Sequence, residues 1–161
     1  MAMRQSMIRK TSLALIALLP MMAVAQDSSL VFRSTISAGS SEYQFDAVSD
    51  KPGMPVHLRI VCKVGCSGFS DYSEDVADGP LYFMQPKDGV DRVLSAWVTG
   101  SAYRIVVYRL DRAGVHKILD RGSRTPPEIS FDARWNEAVK LCTSKCSIYQ
   151  WSDDKHAYTE K

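Results

Sequence analysis

The feature that most constrains the fold is an alternating run at residues 103–110 that is apolar on both of its faces. The two faces are formed by Tyr103, Ile105 and Val107 and by Val106, Tyr108 and Leu110. A strand of this kind is expected to be covered on both faces, which places it inside a sheet rather than at an edge. Turn residues flank the run at 99–101 and 111–114, where glycine can take a positive φ without steric cost. The sequence therefore predicts three consecutive antiparallel strands, at residues 93–121, in the centre of the domain.

Shorter alternating segments, separated by turn signals, recur along the rest of the chain. They lie at residues 30–36, 43–47, 56–62, 138–141 and 148–151. Strands at this spacing are typical of an antiparallel sandwich, barrel or propeller-like stack. We therefore predict one all-β domain at residues 26–161, either a two-sheet sandwich dividing near Lys87 or a partial propeller-like stack of hairpins.

Residues 1–25 have the three parts of a secretory signal peptide. Three basic residues precede position 11, an apolar core follows at residues 13–22, and an Ala-Val-Ala cleavage site ends at Ala25. A membrane anchor is the alternative, but the apolar core is shorter than the about 20 residues that span a bilayer. We expect cleavage after Ala25, export to the bacterial periplasm and no insertion into the membrane.

Removing this segment changes the charge of the chain. The whole sequence has 20 Lys and Arg against 18 Asp and Glu, and three of the basic residues lie in the predicted signal peptide. The remaining chain therefore has one more acidic than basic residue. Because nucleic-acid binding needs a concentrated basic surface to neutralise phosphates, we expect no nucleic-acid partner.

The four cysteines form two pairs of equal spacing, Cys62 with Cys66 and Cys142 with Cys146. An even number of cysteines in an exported protein favours disulfides. Each pair follows an alternating segment and encloses three residues, so a hairpin loop would place its two cysteines opposite each other at a distance that a disulfide can bridge. We predict two local bridges, each closing one hairpin. Long-range pairing between the two motifs is the alternative, whereas a redox or metal role fits neither spacing.

The longest stretch without a strand pattern is an acidic loop at residues 67–80. Its candidate partner-binding residues are Phe69, Asp71, Tyr72, Glu74, Asp75 and Asp78. Carboxylates beside aromatic rings can enter a basic cleft on a partner, where the rings supply buried area and the charges supply orientation. A plain solvated loop is one alternative. A calcium loop is another, but the glycine and the glutamate that such a loop needs at its sixth and twelfth positions are replaced by Val76 and Tyr82.

The sequence offers no arrangement of residues that is typical of catalysis. The three histidines, His57, His116 and His156, lie in no local motif, and no Gly-x-Ser-x-Gly elbow is present. We therefore predict a protein that is not an enzyme, with no catalytic residue, no metal site and no cofactor.

The stretch from Arg92-Val93-Leu94 through Gly100-Ser101-Ala102 to Tyr108 resembles strands of small β-rich periplasmic proteins. The similar proteins are immunity proteins against toxins of type VI secretion and inhibitors of cell-wall hydrolases. The resemblance implies a secreted or periplasmic partner protein, such as an effector hydrolase or lipase, that this chain neutralises. A structural or assembly subunit of an envelope complex is the alternative function, and an enzyme is the third.

Overall fold

The computed structural model describes residues 29–51 and 55–161, so the predicted signal peptide lies outside the described residues. Within them the chain forms strands and no helix. The twelve strands are β1 (Ser29–Ala38), β2 (Ser41–Ser49), β3 (Val56–Val64), β4 (Tyr72–Ala77), β5 (Gly79–Met84), β6 (Arg92–Thr99), β7 (Ala102–Asp111), β8 (Gly114–Ser123), β9 (Glu128–Phe131), β10 (Glu137–Cys142), β11 (Cys146–Ser152) and β12 (Ala157–Glu160). The predicted all-β class is confirmed.

The strands form three antiparallel sheets of four strands each, in chain order. The first sheet holds β1–β4, the second β5–β8 and the third β9–β12. The predicted two-sheet division near Lys87 is wrong, because the sheets divide at Asp78 and at residues 124–127. The architecture is therefore a stack of four-stranded meanders.

The second sheet is the centre of the stack, as residues 103–110 predict. Strand β7 lies between β6 and β8, away from both edges of its sheet. Its Val106, Tyr108 and Leu110 belong to the apolar core shared with the first sheet. Its Ile105 and Val107 belong to a second core shared with the third sheet. Both faces of β7 are covered, and this explains why the strand carries no polar face.

The core between the first and second sheets is rich in aromatic side chains. Phe45 is fully buried, and its ring lies 4.7 Å from that of Phe83 and 6.4 Å from that of Tyr108. The clean alternation of β2 produces this packing, because every second residue of a strand faces the same side. Burying an aromatic or large aliphatic side chain stabilises a fold by about 1.5–3 kcal/mol, so this core is a major source of stability.

Both predicted local disulfides are present, although only one closes a hairpin. Cys142 and Cys146 face each other across β10 and β11, with their Cα atoms 4.0 Å apart. Cys62 and Cys66 are also bridged, but their Cα atoms are 6.0 Å apart. Cys66 lies in the connection after β3, and the next strand of that sheet pairs with β3 only from Tyr72 onward. The predicted hairpin at the first pair is therefore wrong, and that bridge stabilises the start of a longer loop.

Candidate functional site

The predicted acidic loop is wrong as a loop, because its centre forms the edge strand β4. Strand β4 pairs along β3, with Arg59 opposite Ser73 and His57 opposite Asp75. Tyr72, Glu74 and Asp75 lie on β4, where side chains alternate between the two faces of the sheet. Phe69, Asp71 and Asp78 lie in the connections on either side of it. The structure therefore does not bring them together as one acidic surface.

Asp71 and Asp75 are the two candidates on the outer face of the first sheet. Asp71 is 59% exposed and Asp75 is 78% exposed. The Arg59 guanidinium donates to Asp71 at 3.0 Å. The imidazole of His57 bonds Asp75, and its other nitrogen lies 3.8 Å from Asp50. Each exposed carboxylate is thus already paired with one basic side chain.

Alternating charges cross the whole outer face of this sheet. Arg33 donates two hydrogen bonds to the Asp46 carboxylate, at 2.7 and 2.9 Å. Arg59 lies opposite Asp46 on the neighbouring strand, and its guanidinium donates to Asp71. The hydrogen bond from Arg33 lowers the pKa of the Asp46 carboxyl. The row Arg33, Asp46, Arg59 and Asp71, which we call the outer charge ladder, crosses β1, β2 and β3 and ends at the residue that precedes β4.

Glu74, by contrast, points inward and joins the first sheet to the second. Its side chain is only 14% exposed, and it accepts hydrogen bonds from the Tyr108 hydroxyl at 2.5 Å and the Lys117 ammonium at 2.9 Å. Arg104 approaches the same carboxylate at 3.7 Å. Burial, followed by the bond to Glu74, raises the pKa of the Tyr108 phenol. These contacts give Glu74 a structural role rather than a place on a contact surface.

The three remaining candidates also make internal contacts. Phe69 packs its ring 5.3 Å from that of Tyr43. Tyr72 packs edge-on against Tyr108 at 6.1 Å. Asp78 accepts the backbone N–H of Gly100 at 2.5 Å, which ties the link between two sheets to the β6–β7 turn. Asp78 is exposed but bonded to this turn, so Asp71 and Asp75 are the candidates whose carboxylates share the outer face of the first sheet.

The extended conformation of β4 also bears on the calcium alternative. Asp71 and Asp75 lie on one face of an extended segment, whereas a calcium loop curls its ligands around the ion. Among the described residues, no group of three or more His, Cys, Asp or Glu side chains could hold a metal ion.

A buried polar cluster between the second and third sheets was not anticipated from the sequence. Arg92 donates to Glu137 at 2.8 and 3.2 Å, and its guanidinium carbon lies 4.0 Å from the centre of the Trp151 ring. Tyr158 donates its hydroxyl to the same glutamate at 2.7 Å. Burial, followed by the charge of Glu137, raises the pKa of Tyr158. The sequence carries one signal for this cluster. Glu137 occupies every second position of β10 together with Val139 and Leu141, and therefore faces inward with them.

Comparison with protein-family models found no matching family, and comparisons with curated proteins and with solved structures found no match either. Across residues 29–51 and 55–161, no helix long and apolar enough to cross a membrane is present.

Proposed function

We propose that this chain is an exported binding protein that neutralises a partner protein. The partner class is a secreted cell-wall hydrolase or lipase, which makes the chain an immunity protein or inhibitor. The signal-peptide pattern of residues 1–25 and the resemblance of residues 92–108 to such proteins support the proposal. Binding is assigned to the outer face of the first sheet.

The observation that carries this assignment is the placement of Asp71 and Asp75. Both are largely exposed at the edge of a disulfide-braced sheet, and the outer charge ladder holds the neighbouring side chains in fixed positions. An ordered polar surface binds with less loss of side-chain entropy than a mobile one. A basic cleft on the partner can replace Arg59 and His57 as the counter-charge of the two carboxylates.

The test is the affinity of the Asp71→Ala/Asp75→Ala variant for the purified partner, measured by calorimetry. Glu128→Ala is a matched control, because Glu128 is likewise an exposed carboxylate in an ion pair, with Lys140 at 3.0 Å, on the third sheet. We expect the double variant to bind at least about tenfold more weakly while the control binds normally. Equal affinity of all three proteins would remove the first sheet from the interface.

A second candidate function, assembly into an envelope complex, is favoured by the exposed start of the edge strand β1. This edge strand is ten residues long, and Leu30 and Val31 at its start are 49% and 46% exposed. An exposed apolar edge strand is a template for pairing with another strand. On this alternative, Val31→Lys abolishes incorporation into the complex, and Asp71→Ala/Asp75→Ala has no effect.

A further inference from the structure

A shallow cavity of about 420 Å³, open to solvent, lies at one end of the second sheet, beside the disulfide-closed loop of the third. Its walls come from the start of β7, the end of β8, the β6–β7 turn at Thr99 and the disulfide-closed loop at Thr143. Cavities of this size hold small organic ligands. The outer charge ladder takes no part in the cavity, which is therefore a separate surface from the proposed partner site.

Hydrogen bonds between the two sheets fix the walls of this cavity. The Ser123 hydroxyl accepts the Cys142 N–H at 3.0 Å and donates to the Cys142 carbonyl at 3.2 Å. The Arg124 N–H donates to the same carbonyl at 2.7 Å. Because Cys142 is bridged to Cys146, the backbone that carries Arg124 and Thr143 is held in place before any ligand arrives.

An exposed glycine that the backbone does not require, Gly122, lies in the lining of the cavity. Gly122 has no positive φ and pairs in regular register with Arg104. A Cβ atom built on it would meet only the Tyr103 carbonyl, at an ordinary 3.8 Å. Glycine inside a strand weakens it, and where no bend or bulge explains the residue it marks a place where another group approaches closely. The missing side chain leaves open space between Arg104 on β7 and Arg124 beyond β8.

The charge of the lining defines what this space can hold. Three arginines, Arg104, Arg121 and Arg124, line it together with a single carboxylate, Asp120. Arg104 neutralises Asp120 through bonds of 2.8 and 2.6 Å, which lower the pKa of Asp120. Within the described part of the chain, Arg121 and Arg124 make no ion pair, so the lining carries a net positive charge. The Arg121 guanidinium donates to the Asp120 carbonyl at 2.9 Å and lies 5.8 Å from the centre of the Tyr149 ring. Among the described residues, the Arg124 side chain makes no hydrogen bond, so Arg124 is the arginine open to a ligand. A guanidinium forks onto carboxylate and phosphate oxygens, and the Thr99 and Thr143 hydroxyls are further donors.

We propose that this cavity binds a small organic oxyanion, a carboxylate or a phosphate ester, whose anionic group pairs with Arg124 and whose carbon body lies over Gly122. Arg124 supplies the charge that selects the ligand, and the absent side chain at position 122 supplies the room. The site does not depend on the partner-binding function, and the two can fail separately.

The test is calorimetric titration of the purified, oxidised protein with phenyl phosphate and with benzoate, and with phenol as the uncharged analogue. We expect saturable one-to-one binding of at least one anion and much weaker binding of phenol. Arg124→Gln should weaken anion binding by about tenfold or more, because it removes the charged donor of the hydrogen bond to the anion. Gly122→Val should weaken anion binding to a similar extent, because its side chain fills the space above the glycine. The anion that the unaltered protein binds more tightly identifies the ligand as a carboxylate or a phosphate.

Arg112→Gln is the matched control, because Arg112 is an exposed arginine in the turn at the other end of the β7–β8 hairpin. Its anion affinity should equal that of the unaltered protein. The proposal is overturned if neither anion binds saturably, or if phenol binds as tightly as the anions. It is likewise overturned if Arg112→Gln reduces the anion affinity as much as Arg124→Gln does. It is also overturned if Gly122→Val, with an unchanged circular dichroism spectrum, binds the anion normally.

Discussion

Arg92 forks onto the carboxylate of Glu137, with bonds of 2.8 and 3.2 Å, although no part of Glu137 reaches solvent. The two residues lie on β6 and β10, so the ion pair joins the central sheet to the third sheet. Tyr158 and the Trp151 ring complete the surroundings of this pair. A buried ion pair whose polar atoms all have partners specifies how two surfaces meet, because any displacement leaves a charge unpaired.

The first prediction concerns the cost of breaking this pair. Arg92→Met leaves the Glu137 charge buried without its cation, and we expect a loss of about 3–5 kcal/mol in the free energy of unfolding. Arg92→Met/Glu137→Leu removes both charges and should be clearly more stable than Arg92→Met alone. Urea unfolding of the two variants measures the difference. A double variant less stable than the single one would show that the pair does not act as a unit.

The second prediction compares the stability effects of two neighbouring acidic residues, Glu74 and Asp75, which lie on opposite faces of β4. Glu74→Ala leaves the buried Tyr108 hydroxyl without its acceptor and should cost about 1–3 kcal/mol in unfolding free energy. Asp75→Ala removes an exposed ion pair and should change stability by less than about 0.5 kcal/mol. Denaturant unfolding of both variants checks this contrast. Equal losses would contradict the inward placement of Glu74.

The third prediction follows from the lowered pKa of Asp46. A carboxyl whose folded-state pKa lies below its ordinary value of 3.8 stabilises the fold above that pH, and the stabilisation is lost as the pH falls through the lowered pKa. Unaltered protein should therefore be more stable than Asp46→Asn near neutral pH. The difference should shrink progressively below pH 3.8. Thermal unfolding over an acidic pH series measures it, and a difference that grows toward acid would reverse the assigned sign.

The fourth prediction compares two glycines in the loop after β3. Gly65 and Gly68 have φ values of 76° and 85°, a region that other residues enter only with strain. A Cβ on Gly65 would also lie 2.5 Å from the Ser40 carbonyl oxygen, whereas a Cβ on Gly68 would meet nothing. We expect Gly68→Ala to cost about 1 kcal/mol and Gly65→Ala clearly more. Similar melting temperatures for the two variants would show that the close approach at Gly65 is absent in solution.

The alternation of apolar and polar residues along the sequence predicted much of the fold, because it indicates which residues of a strand are buried. It placed β7 inside a sheet with both faces covered, and the spacing of the cysteines predicted two local bridges. The pattern failed at β4, where the inward Glu74 interrupts the apolar face and makes a strand look like an acidic loop. That error hid the boundary at Asp78 and with it the division into three sheets.

The candidate site was harder to predict, because its contacts join residues that are distant in the chain. Arg92 and Glu137 are 45 positions apart, and no motif in the sequence around either residue indicates that it pairs with the other. The outer charge ladder depends on the register of four strands, which a single sequence does not fix. The open space at Gly122 likewise depends on which side chains surround it, and in the sequence that residue looks like an ordinary turn glycine.

The central claim is that the outer face of the first sheet binds a secreted partner protein. The most direct measurement is affinity capture from lysate of the source cells by the oxidised protein, Asp71→Ala/Asp75→Ala and Glu128→Ala in parallel, with retained proteins identified by mass spectrometry. We predict stoichiometric capture of a secreted hydrolase or lipase by the unaltered protein and the control, and loss of that protein from the double variant. Capture of envelope structural proteins, or equal retention of the hydrolase by all three proteins, would contradict the claim.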